Sequence, residues 1–214
     1  MIAFIHTSPS MIPVFKALSD ELLSGQQIFN MVDESLLCDI IRDGCCPPKT
    51  ARRLVSHVIE ADEAGASHIL VTCSSMGRAV EASRVLVSSK VLRVDEPMAD
   101  RAVSIGSRIG VIATLPSTLE PTAALIRSRA GKQIDLTTRV VDGAFQAVIS
   151  GNGARHDELV GNALRELSRN VDVVVLAQAS MARVVDSLAP ADRPVPILSS
   201  PRLAVEHLAT LVRA

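Results

Sequence analysis

The sequence predicts an α/β fold of two similar halves, each a roughly four-stranded parallel sheet flanked by helices. Three observations carry this expectation. Short apolar runs alternate with segments of helical spacing along all 214 residues, the pattern of parallel strands covered by helices on both faces. The second half also restates the first: IAFIHTSPSMIPVFKAL from Ile2 lies over IGVIATLPSTLEPTAAL from Ile109, with seven of seventeen positions identical, Thr7 with Thr114 and Pro9 with Pro116 among them. Finally, later landmarks keep their order at nearly constant offset: Val32-Asp33 with Val141-Asp142, ILVTCSSM with VVLAQASM, and the strand before Pro97 with the strand before Pro201. Such ordered self-similarity is the signature of an internal duplication.

Taken in order, Ile2 to Ile5 reads as a buried strand ending in the turn His6-Thr7-Ser8-Pro9. Pro13 to Leu23 has helical spacing with Asp20-Glu21 on the wet side, and Gln27 to Val32 is a second strand, closed by Asp33-Glu34-Ser35. Residues 49–64 form an amphipathic helix with Leu54, Val58 and Ala61 on one stripe, stopped by Gly65. The run Ile69-Leu70-Val71 is a third strand; Gly77 opens a helix whose spacing takes in Val80, Ala82, Val85 and Leu86; Val91 to Val94 is a fourth strand. Asp95-Glu96 then either orients groups near a site or caps the helix from Pro97. The same series follows in the second half, where Gly151-Asn152-Gly153 is a turn rather than a dinucleotide fingerprint. The expected division is a first half over 1–104, a second over 105–201, and a terminal helix over 202–214 able to pack back on the first.

Composition narrows the function. The chain has 48% hydrophobic and 21% charged residues and a formal net charge of −1, ordinary values for a globular protein. At this length about 70% of the unfolded surface can be buried. With no Trp or Tyr and only four Phe, stacking platforms for single-stranded nucleic acid are missing, and no basic stripe tracks phosphates. No nucleic-acid partner is expected. No apolar run approaches a membrane span and no signal-peptide pattern opens the chain, so a cytoplasmic location without membrane association is the default. The four cysteines, Cys38, Cys45, Cys46 and Cys73, form no C-x-x-C pair and no regular spacing with the five histidines, so no metal site is expected. The vicinal Cys45-Cys46 before Pro47-Pro48 is either redox-active or a reduced pair in a loop.

The chemistry concentrates at TCSSMG, residues 72–77. A strand running through a polar turn into a helix start puts Cys73 where unpaired backbone N–H groups and the helix dipole favour thiolate. A buried packing cysteine is the alternative; the neighbouring hydroxyls of Thr72, Ser74 and Ser75 argue against it. In open parallel sheets ligands sit outside the carboxyl ends of the strands, so the turns at 6–10, 72–76, 113–118 and 177–181 are expected to face a cleft between the halves. Hydroxyls and helix-start N–H groups there suit a carboxylate. His6 is a candidate second base on one of these turns, the alternative being a histidine that hydrogen-bonds a neighbouring loop.

TCSSMG, ATLPSTLEPT from Ala113 and LAQASM from Leu176 together resemble the aspartate/glutamate (Asp/Glu/hydantoin) racemase superfamily over essentially the whole chain. The resemblance implies two pseudo-symmetric flavodoxin-like halves with the active site between them, no cofactor, and chemistry at the acidic carbon of a small carboxylate; homodimers are among the assemblies it allows. It further implies Cys73 as the first-half catalytic thiol, with Ser74, Ser75, Thr114 and Thr118 carried over beside it; many relatives have an acidic or glycine-rich first loop where this chain has His6-Thr7-Ser8, and the turns themselves add Thr7, Ser8, Thr72, Gln178 and Ser180 as substrate-binding candidates. The racemases use a cysteine from each half, whereas the position equivalent to Cys73 here is Gln178, a neutral amide that cannot relay a proton. A single thiol suits one-sided proton transfer: isomerisation, decarboxylation or another lyase reaction, or thiol addition to a double bond. A carboxylate-binding protein without catalysis is the alternative from another class.

Overall fold

The computed structural model describes residues 1–131 and 133–213. Its first series is β1 (Ile2–His6), α1 (Met11–Leu22), β2 (Ile28–Val32), α2 (Glu34–Asp43), α3 (Pro48–Glu63), β3 (His68–Val71), α4 (Gly77–Ser83), β4 (Lys90–Arg93) and α5 (Glu96–Ile105). The second series is β5 (Arg108–Ala113), α6 (Pro116–Arg129), β6 (Asp135–Val140), α7 (Ala144–Ile149), α8 (Gly153–Leu167), β7 (Val173–Leu176), α9 (Ala182–Ser187), β8 (Ile197–Ser199) and α10 (Ser200–Arg213). Each series makes one four-stranded, wholly parallel sheet, in the orders β2-β1-β3-β4 and β6-β5-β7-β8. The two-half α/β architecture read from the sequence is therefore the observed one.

Two compact units result, Met1–Glu96 together with the segment from Pro201 onward, and Pro97–Ser200. The boundary thus falls just after Glu96, the first residue of α5. A physical reason is visible in the packing: Met98, Ala99 and Ala102 of α5 are fully buried, and Asp100 pairs with Arg129 of α6, inside the second unit. In the first unit, Ala204, Val205 and Leu208 of α10 share a core with Phe4, Phe15 and Leu92. The opposite face of that sheet is covered by Leu36, Ile40, Leu54, Val58 and Val80 from α2, α3 and α4. Burying both faces explains why β1 and β3 read as continuous apolar runs.

Two elements depart from the sequence reading. The segment 34–43, of which the sequence reading named only Asp33-Glu34-Ser35 as the close of a strand, is helix α2. The Asp33 side chain accepts from the Ser35 N–H, Leu36 and Ile40 bury one turn apart, and left-handed Gly44 at φ 69° ends the helix. The helix opened by Gly77 stops at Ser83, short of Val85 and Leu86, which are 87% and 56% exposed. The chain is turned there because the Arg84 guanidinium reaches back to the Val91 carbonyl and Glu96. No helix among the described residues is long and apolar enough to cross a membrane.

Candidate active site

In both units the third strand of the series ends in the same device. After β3, extended Cys73 (φ −120°, ψ 112°) caps a short 3-10 turn, Ser74–Met76, that runs into α4. After β7, extended Gln178 (φ −129°, ψ 135°) caps the turn Ala179–Met181 that runs into α9. Met76 and Met181 are both fully buried and anchor the two turns. The offset of 105 between Cys73 and Gln178 is therefore a structural equivalence as well as a sequence one.

The equivalence extends to hydrogen bonds from the first strand of each unit. Thr7, just past β1, bonds the Cys73 thiol through its hydroxyl. Thr114, just past β5, donates its backbone N–H at 2.5 Å and its hydroxyl at 2.9 Å to Gln178 Oε1. The amide oxygen of Gln178 is thereby spent, and its nitrogen makes no hydrogen bond among the described residues, leaving an NH₂ donor at the carboxyl end of the second sheet.

Cys73 is half-buried, and its electrostatics differ from the sequence expectation. Burial pushes the thiol above its ordinary range; bonds from the Thr7 hydroxyl and from the Ser75 N–H and hydroxyl pull it down, and the nearby Asp95 carboxylate adds to the rise. The net direction is upward, so the resting group is a thiol and not the thiolate favoured by a bare helix start. The turn is too short, and the site too dry, for the dipole to win.

His6 is fully buried. Its Nε2–H donates to Asn30 Oδ1 at 2.9 Å, which leaves Nδ1 to accept from the Thr72 hydroxyl at 2.8 Å, and Phe15 packs against the ring at 5.6 Å. Burial lowers its affinity for a proton, with the Asn30 bond opposing. Both ring nitrogens are hydrogen-bonded, which ties His6 to Asn30 of β2 and to Thr72, the residue before Cys73. Thr72 is 8% exposed and its hydroxyl is held by His6.

The remaining candidates divide. Ser74 and Ser75 are each 7% exposed on the Cys73 turn, and Ser75 is one of its partners. Ser8 is half-buried and pairs with Ser10, Thr118 is buried in the first turn of α6, and Ser180 is exposed beyond Gln178. Sequence reasoning missed Asn30, whose signal was a lone amide amid the apolar residues of β2. It also missed Arg93, 5% exposed, whose guanidinium grips fully buried Asp95 through two bonds of 3.0 and 2.8 Å. Among the described residues no group of three or more His, Cys, Asp or Glu could hold a metal ion.

The family model for Asp/Glu/Hydantoin racemase matches residues 5–208. The chain belongs to this family. Among curated proteins none matches it by sequence. Solved structures of the family share its fold. Allantoin racemase from Klebsiella pneumoniae is 20% identical with a TM-score of 0.72, over 99% of this chain and 87% of the other. A glutamate racemase isoform from Bacillus anthracis is 18% identical at TM-score 0.72, over 100% and 81%. The aspartate racemase of Picrophilus torridus is 12% identical at 0.71, over 98% and 94%. Family and fold support an enzyme of the racemase and isomerase class; at these identities the neighbours carry the fold alone.

Proposed function

We propose that this family member is a cofactor-independent, racemase-like isomerase or lyase that transfers a proton at the carbon next to the carboxylate of a small acid, with Cys73 as the proton-transfer group. The observation that carries this reading is a thiol held protonated at the carboxyl end of β3, with an amide in the equivalent position after β7. In the step assigned to it, a C–C bond to a departing carboxyl group breaks with loss of CO₂ and leaves its electron pair on the carbon; the S–H proton passes to that carbon, and the electron pair of the S–H bond stays on sulfur as thiolate. The Thr7 hydroxyl and the Ser75 N–H and hydroxyl already point at that sulfur and stabilise the charge as it appears. Solvent returns the proton. Gln178 can hydrogen-bond an anion through its NH₂ but cannot exchange a proton, so one-sided delivery is favoured over two-thiol racemisation. A resting thiol also suits proton donation better than addition to a double bond, which needs the thiolate.

The test is incubation in heavy water with a panel of amino, hydroxy and dicarboxylic acids. One of them should be transformed or acquire deuterium on a single face, and Cys73→Ala should abolish this. Gln178 also favours a second reading, a carboxylate-binding protein without turnover. Binding without exchange, unchanged by Cys73→Ala, would establish that reading and refute the first.

A further inference from the structure

The buried ion pair after β4 has no part in the chemistry described so far, yet the sheet register sets it beside the thiol. Val71 of β3 pairs with Arg93 of β4, and the Val94 N–H donates to the Val71 carbonyl at 3.1 Å, carrying the ladder one step further. Cys73 and Asp95 each lie two residues beyond that pair. The Cys73 backbone is still extended, so its side chain leaves on the same face as Val71. That is the α4 face: Val71 and Cys73 pack with Met76, Ala79 and Val80, and Arg93 reaches across the same face to Glu81 and lies against Gly77. Neighbouring strands run about 4.8 Å apart, which puts the Asp95 carboxylate within strong electrostatic reach of the sulfur.

Asp95 sits in a cluster of charges. Arg93 shares one guanidinium between Asp95 and Glu81, and Arg84 pairs with Glu96, whose carboxylate also accepts the Arg93 backbone N–H. Of these carboxylates Asp95 is the one sealed from solvent. The other titratable group facing the sulfur is Cys46, before α3, itself a half-buried thiol packed on the same core.

We propose that Asp95, clamped by Arg93, is a positioning residue for Cys73 that makes the thiol a proton donor rather than a base. Gly77 of TCSSMG completes the device, since only a residue without Cβ leaves room for the guanidinium. The inference rests on Cys73 being the working group of the proposed function, but it can be read without turnover.

The readout is the pH dependence of Cys73 alkylation by iodoacetamide, followed by peptide mass spectrometry on the full chain. In Asp95→Asn the midpoint should fall by about one pH unit or more, raising the rate near neutral pH about tenfold. Because that variant strands a buried arginine, Arg93→Met/Asp95→Leu serves beside it, as apolar replacement of a buried pair is usually tolerated; its midpoint should fall by less, because a cation leaves with the carboxylate. An unmoved midpoint in either variant, if folded by circular dichroism, overturns the inference. A lowered midpoint in a protein that exchanges no acid in heavy water upholds the coupling while refuting the proposed function; single-face exchange with an unmoved midpoint does the reverse.

Discussion

Gly77→Ala isolates the packing beneath the thiol. A Cβ built at Gly77 would lie 2.3 Å from Arg93 Cζ, 2.4 Å from Nη2 and 2.6 Å from Nη1. Ordinary contact needs more than about 3.4 Å, so the guanidinium must move by about 1 Å or more. It cannot do so freely, because bonds of 3.0 and 2.8 Å to Asp95 and a third to Glu81 fix it in one plane. Displacement leaves Asp95, with no exposed surface, as an uncompensated buried carboxylate. Breaking a buried pair in this way costs about 3–5 kcal/mol. Alanine returns about 0.5–1 kcal/mol through backbone entropy at a helical position. The net expectation is a loss of about 2–4 kcal/mol. Urea unfolding at neutral pH measures it, as a lowered midpoint at unchanged slope. A loss under about 1 kcal/mol, or a gain, would mean the guanidinium has another place to go, and the account of Gly77 would fail.

Three further outcomes follow from other parts of the chain. Burial lowers the proton affinity of His57, but bonds to Asp33 and Glu60 outweigh it and the net direction is upward. Its contribution to stability is therefore full below the unfolded value of about 6.5 and lost as pH rises through the folded value, so the melting-temperature gap between wild type and His57→Gln should narrow from about pH 6 towards pH 9. Asp172 accepts from the Arg108 backbone and guanidinium and from the Ser107 N–H, and is held down to about 2. Its contribution is present above about pH 3.8 and fades as pH falls through the folded value; urea midpoints of wild type and Asp172→Asn should differ at neutral pH and converge near pH 2. The Thr122 hydroxyl is buried without a hydrogen-bond partner among the described residues, so Thr122→Val should leave thermal stability unchanged or raise it by about 1 kcal/mol, and a loss above that would reveal a partner.

Much of the fold was legible because duplication supplied a second copy of each signal. Seven identities between residues 2–18 and 109–125 fixed the register of β1 on β5, and the Met76 to Met181 match fixed the two capped turns. Helix α2 also had a signal in the sequence, Leu36, Leu37, Ile40 and Ile41 at helical spacing between the Asp33 cap and Gly44, which the reading of Asp33-Glu34-Ser35 as a strand close passed over. The α4 terminus was misplaced because the apolar spacing continues through Val85 and Leu86, while the turn is dictated by Arg84 reaching a strand seven residues on.

For the site, the sequence by itself determined that a thiol and an amide occupy equivalent turns, and that hydroxyls surround the thiol, because those facts are residue identities at fixed offsets. Only the tertiary structure decided the surroundings of that thiol and the hydrogen bonds of its neighbours. Burial, the carboxylate that register brings near Cys73, and the closing of His6 onto Asn30 and Thr72 all depend on which strands lie side by side. Proton affinity responds to the field and solvation at a point in space, and residues 22 and 67 positions apart supply both.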